Sequence, residues 1–495
     1  MTESAPAPRS HPALAGLLPA LAALLAGLMA LSPRVLNDGD TFWHVRAGRM
    51  MLAQRAVLRT DPFSSTFHGA PWFTHEWLSE VLLGGAFSLA GWSGVVLLTA
   101  AAVGLTAWLL ARDLGRWLAG LPWVTLLVFG LLLWTGSLLA RPHILAMPIL
   151  ELWTAELIRA RAEDRAPRWR FLPLMALWAN LHGSFFFGLA LIGPFALEAL
   201  LGAWPARRWP VVLRWGGFGL AAAAMPLISP HGLNTLLFPL NLVHMAGLAN
   251  IGEWAPSDFA KVGPLEVAIL AGLFVAFTRP VRMTLVRVGL LLLLLHLALQ
   301  HVRYDQMLGI VGALVLAQPL AGAYGQATAL PEGRKPATAW PVGLAATVLA
   351  MALAAGRLAW PVTLHDGPTA PVSAVAAVPP AIAATPVLND YRFGGYLIGQ
   401  GIAPFIDGRA DLYGDAFLAA YARLLEPDRA ALTRTLEARH IGWTILVPGT
   451  PIARAMDETP GWRRLRTDRW SVIHVRIAPS MLDPLIPAKA GTQIR

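Results

Sequence analysis

The chain contains no cysteine among its 495 residues. Disulfides, thiolate nucleophiles and cysteine-ligated metals are thereby excluded. Charge is also scarce, with Asp, Glu, Lys and Arg at 14% of residues, where an ordinary soluble domain carries about 25%. No stretch has the spacing of a nucleotide-binding loop, and the Gly394-Gly395 pair stands alone. No convincing cleavage site follows the first apolar run, which reads as a retained signal anchor.

What the chain has in quantity is apolar surface. Hydrophobic residues make up 56%, and mean hydropathy is +0.54. They come in blocks long enough to cross a hydrocarbon core of about 30 Å, separated by short basic stretches. That pattern predicts a polytopic α-helical membrane protein. The formal net charge of +10 then follows from topology, because Arg and Lys collect on the cytoplasmic side. A nucleic-acid partner is not expected.

With the N-terminus in the cytoplasm, the arginines order the spans. The first runs over residues 11–31 and opens into an outside segment, 32–91, in which 76–90 is a mixed helix lying along the interface. Arg112 and Arg116 return inside, Arg141 lies outside, and the dense basic stretch from Arg159 to Arg170 lies inside. The alternation continues through Asn180 outside, Arg207 to Arg214 inside, 229–261 outside, Arg279 and Arg282 inside, Arg303 outside, and Arg334 with Lys335 inside. It predicts about eleven transmembrane helices in residues 1–360 and an outside C-terminal part.

The unusual polar groups then share one face: Asp38, Asp40, His44, His75, Glu76, Arg141, His182, His231, Glu253 and Arg303. Outside loops collect polar residues in any case, but a surface enzyme would also gather them there. The loop Asn37-Asp38-Gly39-Asp40-Thr41-Phe42-Trp43-His44 is the sharpest feature, since carboxylates at the edge of hydrocarbon mark a candidate site. Asp40 reads either as catalytic or as a cap of the helix that follows, with Asp38 as the alternative catalytic position.

Residues 361–385 are Ala/Pro/Val-rich and read as a linker. Residues 386–479 predict a small α/β domain, with strands at 386–388, 404–406, 443–447 and 470–475 and helices at 417–425 and 429–438. Asp407 and Arg409 in Asp-Gly-Arg are either a binding edge or a self-paired turn. The tail, 480–495, is unpatterned and reads as disordered.

Several stretches resemble a family of bacterial polytopic membrane proteins. They are Asp40-Thr41-Phe42-Trp43-His44, Thr60-Asp61-Pro62-Phe63-Ser64, Pro71-Trp72-Phe73-Thr74-His75-Glu76-Trp77, Asn180-Leu181-His182-Gly183, Pro230-His231-Gly232-Leu233, Glu253-Trp254 and Phe405-Ile406-Asp407-Gly408-Arg409. The resemblance covers roughly residues 36–475. That family is similar to the C-type superfamily of membrane glycosyltransferases. The resemblance implies a multi-pass protein of the bacterial inner membrane, with a periplasmic C-terminal domain, that uses a polyprenyl-phosphate sugar donor for transfer to an envelope acceptor. Membrane lipid is the surrounding partner.

Asp40 matches the superfamily's first-loop acid, and Glu76 falls where a second functional polar residue often lies. The adjacent Asp-Glu of protein mannosyltransferases and the Trp-Trp-Asp of oligosaccharyltransferases are absent, so the acceptor is not implied. Breaking the C1–O bond of such a donor calls for a carboxylate base and for cations on the leaving phosphate. Arg141, His182 and Arg303 are the candidates for the phosphate. The aspartates and histidines of the first loop also offer ligands for a divalent metal ion. The alternative function is a non-catalytic assembly protein whose periplasmic domain binds a partner through Asp407, Arg409 and Tyr413.

Overall fold

The computed structural model describes residues 12–243, 245, 254–326, 340–426 and 428–477. Glu253, the basic pair Arg334 and Lys335, and the tail 480–495 lie outside the described residues. The chain forms two compact units. One is Met1–Arg59 with Trp72–Thr363; the other is Thr60–Pro71 with Leu364–Arg495.

The first unit is helical: α1 (Pro12–Ala30), α2 (Gly39–Gln54), α3 (Trp77–Leu114), α4 (Gly120–Leu132), α5 (Pro142–Ala162), α6 (Leu172–Leu181), α7 (Phe185–Gly202), α8 (Arg208–Ala224), α9 (Leu233–Val243), α10 (Pro264–Thr278) and α11 (Leu285–Gln300). Beyond Tyr304, α12 (Asp305–Met307) continues through a π turn, Leu308–Gly312, into α13 (Ala313–Ala323). α14 (Trp340–Ala359) closes the series. Among the described residues, five helical stretches are long and apolar enough to cross a membrane: Trp77–Leu114, Gly120–Ser137, Phe185–Gly202, Pro205–Leu227 and Val302–Ala323. Four shorter apolar helices accompany them. The chain is a multi-pass, mostly helical membrane protein.

The boundary expected after residue 90 appears as a break inside α3. Ala90 (φ −146°) and Gly91 (φ 57°, ψ −147°) leave helical geometry, and the left-handed φ at Gly91 is one that a side chain disfavours. α6 differs from the expectation of a full span. Its ten residues reach about 15 Å at 1.5 Å per residue, half the hydrocarbon thickness.

Two glycines set the crossing of α2 and α3. A Cβ at Gly48 would lie 1.7 Å from the Glu80 carbonyl oxygen, and one at Gly84 would lie 2.5 Å from the Arg49 amide nitrogen. The backbones meet because neither residue has a side chain. One turn before each contact, His44 and Glu80 therefore face each other. Gly48→Ala should lower stability by about 3 kcal/mol or more, the upper range for overpacking, because backbone cannot move aside as a side chain would. Thermal unfolding of the purified full chain checks this; an unchanged midpoint would rule out the tight crossing.

The second unit carries a four-stranded mixed sheet of order β1-β2-β4-β3. β1 (Val387–Asn389) runs parallel to β2 (Trp443–Leu446). β4 (Val472–Arg476) pairs antiparallel with both β2 and β3 (Trp462–Thr467). Helices α17 (Gly394–Gly399), α18 (Ala410–Leu424), α19 (Arg429–Ala438) and α20 (Pro451–Asp457) accompany it.

Two expectations change. Residues 404–406 are not a strand: the Phe405 amide donates to Asn389 Oδ1, and the Pro404 and Phe405 carbonyls accept from Ser65 and Thr66. Instead Trp462–Thr467, rich in arginine, forms the edge strand β3, whose charges suit an unpaired edge. The stretch read as a linker holds two short helices, α15 (Val372–Ala376) and α16 (Pro380–Ala383), and buries Ala374 and Val375.

Candidate active site

The loop between α1 and α2 is fixed by backbone pairing to the start of α5. The Ala140 amide donates to the Val35 carbonyl at 2.7 Å, and Thr41 Oγ1 donates to the Ala140 carbonyl at 3.1 Å. This brings Arg141, the N-cap of α5, against both loop aspartates. Its Nε lies 3.2 Å from Asp38 Oδ2, and its Nη2 lies 2.8 Å from Asp40 Oδ2.

The two aspartates differ in role. Asp38 is the cap of α2: its backbone is extended (φ −141°, ψ 129°), and its Oδ1 accepts the Asp40 amide at 3.1 Å. Asp40 sits inside the first turn, where a carboxylate is favoured by the helix dipole. Its Oδ1 accepts from Trp43 Nε1 at 3.0 Å. Asp38 and Asp40 stay 14% and 17% exposed, so solvent reaches both.

Beside them lies Glu76 among three histidines. Glu76 Oε1 is 3.3 Å from His182 Nε2 and 3.6 Å from His75 Nε2, and Oε2 is 3.9 Å from His44 Nε2. The other nitrogen of His44 faces Glu80 at 3.5 Å, and both of those residues are almost fully buried. His182 is held in the turn between α6 and α7. Its Nδ1 accepts the Ser184 amide at 3.1 Å, which puts the proton on Nε2, toward Glu76. Burial, and then the positive field of His143, Arg303, His75 and Arg141, holds this imidazole well below its usual pKa. The turn itself is pinned to the start of α3: Trp77 Nε1 donates to Asn180 Oδ1 and Ser79 Oγ donates to the Leu181 carbonyl, each at 2.7 Å.

Arg303 lies over the Trp254 ring at 4.5 Å and within electrostatic reach of Arg141 and Glu76. Asp38, Asp40, Arg141, His44, His75, Glu76, His182 and Arg303 thus form one neighbourhood. His231 sits at its margin: its ring packs on Phe73 at 4.3 Å, and its Nε2 is 3.4 Å from Thr74 Oγ1. Among the described residues, no group of three or more His, Cys, Asp or Glu is arranged to hold a metal ion.

Asp407 and Arg409 belong elsewhere. Both are at 0% side-chain exposure. Arg409 donates to Asp407 through Nε (2.8 Å) and Nη2 (2.7 Å), and to Asp61 Oδ1 through Nη1 (2.7 Å). Tyr413 donates to Asp407 Oδ2 at 2.6 Å. Burial and the Asp407 charge push the Tyr413 hydroxyl well above its usual range, so it stays a donor. As a contact edge for a partner, Asp407, Arg409 and Tyr413 have no surface to offer; they tie Thr60–Pro71 into the second unit.

Two residues of these clusters are not among the site candidates read from the sequence, although Asp61 falls in one of the motifs quoted above. Glu80 depends on the α2–α3 crossing, and the third member of the buried triad, Asp61, lies 348 residues from Arg409. His143 also joins the first cluster, its ring 6.2 Å from that of His182.

No protein-family model and no curated protein matches the chain. Among solved structures, the crystal structure of ArnT from Cupriavidus metallidurans bound to undecaprenyl phosphate is similar to it at 14% identity and a TM-score of 0.47, covering 94% of this chain and 99% of that one. A likeness of that size assigns this chain neither an activity nor a ligand.

Proposed function

We propose that the chain is a membrane glycosyltransferase moving a sugar from a polyprenyl-phosphate donor to an envelope acceptor at the periplasmic face of the bacterial inner membrane. The observation that carries this reading is the solvent-reached pair Asp40–Arg141 beside the Glu76–His182 pair. Carboxylates and cations stand side by side where a helix leaves its apolar run. The family resemblance of the first-loop motifs supports the same reading.

In this reading Asp40 is the base that takes the acceptor hydroxyl proton. Asp38 is committed to capping α2 and holds Arg141 from the other side. Glu76, 3.3 Å from His182 Nε2, is the second functional carboxylate. Arg141 and Arg303 supply the positive field for the departing phosphate, and His182 supplies a hydrogen-bond donor beside them. The N-terminus is cytoplasmic, about eleven passes follow, and the second unit is periplasmic.

The test is turnover. Purified full-length protein given radiolabelled undecaprenyl-phosphate sugars and an envelope extract should move label into lipid or protein acceptors. Failure to turn over or to bind any such donor would sink the reading. The assembly-protein alternative loses its proposed contact edge, because those three side chains are buried.

A further inference from the structure

A cavity lined by both apolar and charged groups lies far from the Asp40 cluster. Its volume is about 620 Å³, within the range of ligand sites, and Glu198, Arg282, Thr284, Arg287 and Gln318 line it. Three helices locate it. Arg141 precedes α5 while Arg161, in its last turn, lies 3.6 Å from Glu198. His182 precedes α7 while Glu198 lies toward its far end. Arg287 lies in the first turn of α11 while Arg303 follows that helix. At 1.5 Å per residue the two ends are on the order of 20–30 Å apart, so the cavity is at the opposite membrane face.

Its chemistry is that of a partly neutralised basic site. Glu198 Oε1 accepts from Thr284 Oγ1 at 2.8 Å and lies 2.9 Å from Arg287 Nε. Arg287 Nη1 donates to Gln318 Oε1 at 3.2 Å. Arg287 is buried, so its guanidinium is held in place. Arg282 is exposed at the cavity wall. Glu198 is shared by Arg161 and Arg287, Arg161 also faces Asp164 at 3.7 Å, and with exposed Arg282 at the wall three guanidiniums meet two carboxylates, which leaves the site positive and suited to an anion.

The surroundings say what kind of anion. The same helices present apolar side chains outward next to the cavity: Leu285 is 88% exposed, and Leu197 and Leu201 on α7 are exposed as well. A soluble anion has no use for such a rim; an amphiphile matches both parts. We propose that this cavity binds the phosphate headgroup of an anionic phospholipid from the leaflet opposite the Asp40 cluster, with its acyl chains along the outer faces of α7 and α11. This does not depend on the transferase reading.

Native mass spectrometry of delipidated full-length protein tests it, with phosphatidylglycerol, phosphatidylethanolamine and sn-glycerol 3-phosphate as probes. Phosphatidylglycerol should be retained over phosphatidylethanolamine by about tenfold. Arg282→Glu, at an exposed position, should reduce that retention by roughly tenfold, as expected for reversing one charge near a headgroup. Equal retention of the two lipids, or unchanged retention in Arg282→Glu, would overturn the site. Displacement of the lipid by sn-glycerol 3-phosphate at equal concentration would assign the cavity to a soluble phosphate instead and overturn the lipid proposal.

Discussion

Asp40→Asn should lower turnover of the polyprenyl-phosphate donor by about 10²–10⁴-fold, the usual contribution of a positioned general base, with the fold intact. Asparagine keeps the shape and retains an oxygen that can accept from Trp43 Nε1, so the change removes charge more than structure. The loss should fall on kcat. Arg141→Met should instead raise KM, because the positive field at the phosphate goes with it. If Asp40 acts only by holding Arg141, the two variants will share one kinetic signature. Asp38→Asn keeps a capping side chain and should leave turnover within a few-fold; asparagine and aspartate cap about equally well. Full activity in Asp40→Asn removes the central assignment.

The largest loss of stability is expected at Arg409. Arg409→Met leaves Asp61 and Asp407 facing each other without their shared cation, fully buried. Removing one partner of a buried ion pair costs about 3–5 kcal/mol, and here two carboxylates lose it at once. Hydrogen exchange on the full chain is the readout. Amides in 60–71 and 404–410 should lose protection in the variant, while α5 and α7 keep theirs. Retained protection at 60–71 would mean that the hydrogen bonds from Ser65 and from the Thr66 hydroxyl hold that segment without the ion pairs. Asp61→Asn should have a smaller effect of the same kind, since the Asp407–Arg409 pair survives it.

The outlines of the membrane helices were legible because long apolar runs and the arginines between them are local signals. The break at Ala90–Gly91 fell where composition changes. The Asp38–Asp40 loop was legible for the same reason: acids at the end of an apolar run are conspicuous. What the loop does with them was not. Capping falls to Asp38 and not Asp40 because of backbone angles that no spacing reveals. The Glu80–His44 contact depends on two glycines meeting from different helices, and Glu80 alone looks like any helix-surface acid. Asp407 and Arg409 read as an exposed turn because their third partner is remote in the chain. Residues 404–406 look like a strand by composition, yet the Phe405 amide is taken by the Asn389 side chain and the Pro404 and Phe405 carbonyls by Ser65 and Thr66, bonds that form no strand ladder.

The excursion Thr60–Pro71 also imposes an order on biosynthesis. The Trp72 amide donates to the Arg59 carbonyl at its neck, and a bridge joins Thr60 to Pro71 just beyond. The segment is therefore closed early, but its binding site among residues 404–409 does not yet exist. At about 5–20 residues per second, the 348 residues from Asp61 to Arg409 take on the order of 20–70 s to make. For that interval an aspartate destined for complete burial has no cation to pair with, and the segment 60–71 is finished only when residues 404–409 arrive. Nascent chains stopped before residue 409 should be protease-sensitive within 60–71, a segment that the complete C-terminal unit protects.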